Sequence, residues 1–161
     1  MQKVFLTFFY TGLSPKAPGT VASLVAAVFA YLILIFLSDQ TLFLASILIF
    51  AASINVINDY EAKTGVHDDK SIVIDEVAGV WLAISMSSAS WLSFILSVLF
   101  FRIFDIVKPS IIGRVDRDVR GGLGVMGDDM LAGFFAGLLS AMCYGALIKL
   151  EIGTDWLISI R

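Results

Sequence analysis

Long apolar runs separated by short polar segments set the pattern of this chain. Residues 20–37 and 130–150 are long enough, or nearly so, to form the helix of roughly 20 residues that crosses a hydrocarbon core about 30 Å thick. Residues 41–57 and 91–107 are slightly shorter and almost free of charge. A fifth run, 77–86, is too short to cross alone. It is expected as a tilted span, a re-entrant segment or a helix buried among the others. Ser38-Asp39-Gln40 forms a tight turn between the first two runs, and 85–90 forms a second turn. Three longer polar segments cover 10–19, 58–76 and 108–129. The pattern predicts an all-α fold, an integral membrane bundle of about four to five hydrophobic helices. A length of 161 residues suits a single domain over 1–161.

Composition strengthens the membrane reading. The chain is 58% hydrophobic and 16% charged, with a mean hydropathy of +0.91, so a bilayer is its natural solvent. Cys143 is the only cysteine, which excludes an intrachain disulfide. No basic stripe suggests a nucleic-acid partner, and no feature specifies an oligomeric state. Residues 1–10 lack a convincing small-residue cleavage site and do not read as a cleaved leader. If every apolar run crosses, the three long polar segments share one side. That side carries Lys3, Lys16, Lys63, Lys70, Lys108, Arg114, Arg117 and Arg120, against little beyond Arg161 opposite, with Lys149 near a helix end. Lys/Arg excess marks the cytoplasmic face, so the functional loops are expected there. Gly133, Gly137, Ala141 and Gly145 form a small-residue stripe suited to close helix packing.

Against this apolar background, 11 of the 14 acidic residues fall within 59–76 and 105–129. Two doublets, Asp75-Glu76 and Asp128-Asp129, each precede a Gly-containing apolar stretch. Helix capping accounts for one acid per helix start. It accounts poorly for adjacent like charges on two helices that share a face. A hard cation such as Mg²⁺, which takes carboxylate and phosphate oxygens, explains the doublets better.

Other segments can join such a site. Arg102 and Asp105 share a helix face, either as a local ion pair or as a phosphate ligand beside a catalytic carboxylate. Lys108 either snorkels to the headgroups or meets phosphate. Gly121, Gly122, Gly124 and Gly127 form a glycine-rich stretch able to present N–H groups to an anion. It follows Asp116 and Arg117 and lacks the ending of a Walker P-loop. His67, the only histidine, is either a general acid–base or a surface residue. Thr20 either caps the first helix or, with its loop, approaches phosphate. Asp59, after Asn55 and Asn58, is a further ligand or a polar terminus.

Four segments in order, GLSPKAPGT (12–20), GVHDDKSIVIDE (65–76), FRIFDIVKP (101–109) and GGLGVMGDD (121–129), together resemble the bacterial phosphatidylglycerophosphatase A family. The Asp116-Arg117 pair falls where the family has one, and the resemblance covers about residues 10–140. It implies a Mg²⁺-dependent phosphatase of the bacterial cytoplasmic (inner) membrane that converts phosphatidylglycerophosphate to phosphatidylglycerol. On that resemblance Asp105, His67, Asp68 and Asp116 are catalytic candidates. Arg102, Lys108 and Arg117 are candidates for the substrate phosphate, joined by Gly121, Gly122 and Thr20 from the reading of their loops, and Asp75, Glu76, Asp128 and Asp129 are candidates for Mg²⁺. Arg120 departs from the family pattern and takes no essential role. Attack on phosphorus is expected either from water or from a carboxylate, with Asp105 the nucleophile in the second case. The alternative function is a small membrane cation transporter or channel that uses the clustered carboxylates, which requires ionisable residues near mid-membrane.

Overall fold

Serine and glycine punctuation explains where the long helices begin and end. The computed structural model describes residues 2–66, 69–87 and 90–150, and its regular elements are all helical. A short α1 (Gln2–Leu6) and a single 3-10 turn (Thr11–Leu13) precede α2 (Pro18–Phe36), α3 (Asp39–Thr64), α4 (Ile74–Met86), α5 (Trp91–Val107), α6 (Ile111–Asp118) and α7 (Gly122–Lys149). Pro18 opens α2, where its missing N–H costs nothing. Ser38 and Ser90 cap α3 and α5, their hydroxyls accepting the N–H of Thr41 and Ser93 at 3.1 Å. Gly65, with φ 70°, stops α3 in the left-handed conformation that glycine adopts freely.

The apolar runs mark where helices meet lipid, not where they end. α3 continues past residue 57 to Thr64, and α7 begins at Gly122, two turns before its apolar run. Backbone bonding continues into the polar zone until a stop residue intervenes. The segment 108–129 is therefore mostly helical, as α6 and the first turns of α7.

Three helices, α2, α3 and α7, have the length and apolarity to cross a membrane, and the chain is a helical membrane protein. α4 has 13 residues, about 20 Å at 1.5 Å per residue, and so is too short to cross. It is the central helix, packed against α7, α3, α2 and α5. Val77, Ala78, Val80 and Ala83 on it are fully buried. Of the three expectations for this run, the buried helix is the one found.

Small residues and hydroxyls bind α4 in place. Ala22, Ala26, Ala27 and Ala30 form the buried face of α2, and the indole N–H of Trp81 donates to the carbonyl of Ala26 at 2.9 Å. Ser46 donates to the carbonyl of Ala78, and Ser140 to that of Ser93, both at 2.8 Å. Lipid offers no competing partner, so such bonds and close packing take over from the hydrophobic effect between helices. Gly133 faces the backbone of Gly79, and Gly137 that of Ala83, whereas a Cβ at Gly145 would meet nothing within 4 Å among the described residues. Only the first half of the small-residue stripe is a packing seam. Leu24 and Val28 on α2, Leu44 and Leu48 on α3, and Ile95 and Leu99 on α5 point outward. A belt of this kind would be an aggregation surface in water and is matched to acyl chains in a bilayer.

Candidate active site

The crossing of α4 and α7 determines what stands above it. Asp75 lies one turn before Gly79 on α4, and Asp129 one turn before Gly133 on α7. A Cβ at Gly79 would come within 2.6 Å of the Asp129 carbonyl oxygen. The two glycines let the helices approach closely enough for their acidic turns to meet. Asp75, Glu76 and Asp129 accordingly offer carboxylate oxygens that all lie within 4.8 Å of one another. Asp75 and Glu76 occupy the first turn of α4, where the Glu76 N–H donates to Asp75 Oδ1 at 3.0 Å. Asp128 and Asp129 lie about two turns inside α7, so helix capping does not account for them.

These acids line a cavity of about 440 Å³ bounded by the start of α2, the start of α4, the end of α5, α6 and the first turns of α7. These ends meet only if α4 and α5 run antiparallel, which places the three long polar segments at one end of the bundle, although the run that the apolar pattern needed to cross for this, α4, is too short to do so. Gly19 stands beside Glu76, where any side chain would overlap the carboxylate. The Glu76 side chain thereby reaches the N-terminal end of α2, whose unpaired N–H groups and dipole favour negative charge.

Arg102 ties α5 to α2. Its Nη1 donates to Asp105 Oδ2 at 2.6 Å and to Ser23 Oγ at 3.3 Å, and its Nη2 donates to Thr20 Oγ1 at 3.2 Å. The local ion pair forms, and Arg102, Asp105 and Thr20 all line the cavity. Lys108 ends α5 in a left-handed conformation, φ 45°, unusual for a residue with a side chain. Its ammonium donates to Asp128 Oδ2 at 2.6 Å and also to Asp116 Oδ1. Burial pulls the Lys108 pKa down, but the bonds to Asp116 and Asp128 outweigh it and hold the ammonium above the ordinary lysine range.

The second expected ligand set is thus divided. Asp129 joins the α4 pair, while Asp128 leans to Lys108 through one oxygen. Its other oxygen, Oδ1, is buried without a hydrogen-bond partner among the described residues, as is Glu76 Oε2. Among the described lining residues, six carboxylates (Asp75, Glu76, Asp105, Asp116, Asp128, Asp129) face three cations (Lys70, Arg102, Lys108). That excess of carboxylates favours the entry of a cation.

Arg117, Gly121 and Gly122 do not line the cavity. The Gly122 N–H donates to Asn58 Oδ1 at 2.7 Å, and a Cβ there would strike the backbone of Ile54. Both glycines sit against α3 at Asn58 and Ile54, and the Gly122 N–H is already engaged there. Asp59 is exposed on α3, away from the lining. His67 and Asp68 lie outside the described residues. The adjoining part of their loop is anchored by Asp69, which accepts the Ser71 N–H and the Tyr60 hydroxyl, each at 2.9 Å. Gly19, Ser23 and Lys70 take places at the site that residue type did not announce. For Gly19 the available signal was its position at the start of an apolar helix, which fits close approach as well as a stiff turn.

Comparison with known proteins follows the same lines. The profile of the family described as phosphatidylglycerophosphatase A matches residues 4–144. The phosphatidylglycerophosphatase A of Escherichia coli K12 is 39% identical over 133 residues, covering 81% of this chain and 77% of that protein. That of Haemophilus influenzae Rd is 35% identical over 129 residues, covering 80% and 79%. A Bacteroides thetaiotaomicron protein provisionally named a phosphatidylinositol-3-phosphatase is 36% identical over 144 residues, covering 84% and 89%. No solved structure matches the chain.

Proposed function

The chain belongs to the phosphatidylglycerophosphatase A family, and on that premise we propose that it hydrolyses the terminal phosphate monoester of phosphatidylglycerophosphate to phosphatidylglycerol and inorganic phosphate. Residues 1–161 act as one domain in the bacterial cytoplasmic (inner) membrane, with the cavity toward the cytoplasm. The observation that carries this reading is the meeting of Asp75, Glu76 and Asp129 within 4.8 Å, beside Arg102 and Lys108, at one end of an apolar bundle. A headgroup phosphatase needs its charged machinery at the depth of the headgroups and its scaffold in the acyl region.

Mg²⁺ suits the donor set. Asp75, Glu76 and Asp129 supply hard carboxylate oxygens and would hold the ion, and the Glu76 Oε2 and Asp128 Oδ1 atoms, buried without a partner among the described residues, are donors a cation would satisfy. Bound there, Mg²⁺ would neutralise phosphoryl charge and act as a Lewis acid. The chain's own residues do the rest. Arg102, oriented by Thr20, Ser23 and Asp105, presents a planar set of N–H donors to phosphate oxygens. Lys108 adds a point charge between Asp116 and Asp128. The Thr20 hydroxyl and the start of α2 bound the phosphate on the remaining side. Asp105 acts either as nucleophile or as the group that aims Arg102, and His67, Asp68 and Asp116 complete the proposed catalytic set.

Ion transport finds no comparable support. Beyond the cluster, no acidic or basic residue occurs on α4 after Glu76, on α5 before Arg102, or on α7 between Asp129 and Lys149. A chain of carboxylates through the bundle is not built.

Phosphate release by purified protein from phosphatidylglycerophosphate, with and without Mg²⁺, is the decisive assay. Asp75→Asn, Glu76→Gln and Asp129→Asn are expected to lose on the order of 100-fold in turnover. Folded variants that keep near-normal turnover would overturn the metal assignment. Labelled phosphate trapped on Asp105 would favour the carboxylate nucleophile over water. Phosphatidylinositol 3-phosphate, run in parallel, tests whether the second named activity among the relatives extends to this chain.

A further inference from the structure

A second cavity, about 420 Å³ and bordered almost entirely by apolar side chains, lies between α5, α6 and α7. Phe104, Pro109, Ile112, Phe135, Leu138 and Met142 define it. Three times, close neighbours in sequence divide between this groove and the charged cavity. Phe104 lines the groove and Asp105 the cavity; Lys108 lines the cavity and Pro109 the groove. On α6, Ile112 faces the groove and Asp116, one turn later, faces the cavity. Consecutive Cα atoms are 3.8 Å apart, so a single thickness of chain separates the two. Between Asp105 and Lys108 the chain is apolar as well, with Ile106, which lines the charged cavity, and Val107 both two-thirds exposed.

We propose that this groove holds one acyl chain of the same phospholipid whose phosphate occupies the charged cavity. The inference rests on the lipid-phosphatase reading above and adds a chain-binding subsite to it. A groove with this lining has no use for water or ions, and at membrane depth acyl chains surround it. What distinguishes a substrate chain from any neighbouring lipid is the shared wall formed by the end of α5 and by α6. A lipid anchored by its phosphate at Arg102 and Lys108 would have its glycerol backbone near the exposed Ile106 and Val107, next in sequence to the groove-lining Phe104 and Pro109. The exposed rim, with Met142 62% and Leu138 44% exposed, admits a chain sideways from the bilayer. Specificity would then reside in two places: phosphate and cation chemistry in the cavity, and chain length or unsaturation in the groove.

The test uses the full chain in lipid nanodiscs and two photoreactive probes with the same mid-chain diazirine. One probe is phosphatidylglycerophosphate and the other phosphatidylcholine. The phosphomonoester probe is expected to label 111–112 and 135–142 several-fold more than the choline probe. Leu138→Trp is expected to suppress that labelling and to lower the ratio of kcat/KM for dioleoyl over dibutyryl substrate about tenfold, equivalent to one or two methylenes losing apolar contact. Should Leu138→Trp not fold, Met142→Trp at the exposed rim reads the same ratio. Equal labelling by both probes would mean ordinary bilayer lipid and overturn the proposal. So would labelling confined to other helices, cross-links to a second copy, or an unchanged chain-length ratio. Wild-type protein that turns over none of these substrates refutes the phosphatase reading, and the labelling comparison still decides the groove.

Discussion

Gly133→Ala puts the central packing claim at risk with one methyl group. A Cβ at Gly133 would lie 2.9 Å from the carbonyl carbon and 3.0 Å from the Cα of Gly79. Carbon atoms rest comfortably at about 3.5–4.0 Å, so α4 and α7 must part by roughly half an ångström or more. Both sides of the contact are backbone, which no rotamer change relieves. Overpacking costs about 1–3 kcal/mol, and this geometry points to the upper end. Alanine's better helix propensity returns about 1 kcal/mol, leaving a net loss of about 2 kcal/mol, or roughly 30-fold in the folded-to-unfolded ratio. Asp129 stands one turn above the crossing, so the same displacement spreads the carboxylates, and the Mg²⁺ concentration for half-maximal turnover should rise. Gly145→Ala is the internal control. It lies on the same stripe but meets nothing within 4 Å among the described residues, so it should leave stability equal or slightly improved. Unfolding followed by circular dichroism in a denaturing-detergent titration, with Mg²⁺ dependence measured in parallel, separates the two. A Gly133→Ala protein as stable as wild type, or a Gly145→Ala protein equally damaged, would refute the crossing as the organiser of the site.

Three further outcomes are expected. Arg102→Lys keeps the charge but loses the fork that bridges Thr20, Ser23 and Asp105; kcat/KM should fall at least about tenfold, since ammonium and guanidinium are not equivalent at such a site, and steady-state kinetics showing wild-type values would contradict the bridging role. Asp128→Asn should disturb Mg²⁺ affinity less than Asp129→Asn, because one Asp128 oxygen is held by Lys108, and a metal titration giving the reverse order would reassign the ligands. Asp69 has its pKa lowered by the Ser71 N–H, with further help from the Tyr60 hydroxyl. A folded-state pKa below the unfolded value, about 3.9, means stability present above that pH and lost as pH falls through the folded value. Asp69→Asn should therefore narrow the difference in protease resistance of this loop between pH 6 and pH 3, and an unaltered difference would refute the anchoring.

Hydropathy alone determined that this is a helical membrane protein, because about 20 apolar residues in a row have one economical fate and polar turns must lie at the ends. The same pattern picked out Asp75-Glu76 and Asp128-Asp129 as costly against their surroundings, but its placement of the charged segments on one side assumed that residues 77–86 cross, which α4 is too short to do. It misjudged helix ends, since hydropathy reports the lipid boundary whereas Ser38, Gly65 and Pro18 set the hydrogen-bonded limits. Glycines show what composition cannot settle. Gly122, Gly133 and Gly145 are alike in sequence, yet one docks α7 on α3, one admits α4, and one faces open space. Tertiary structure alone decided that Asp129 joins Asp75 and Glu76 while Asp128 turns to Lys108. It likewise decided that Gly19 makes room for Glu76 and that the glycines at 121 and 122 sit against α3. Those outcomes depend on where helices cross to within an ångström, a distance fixed by side chains far apart in the chain.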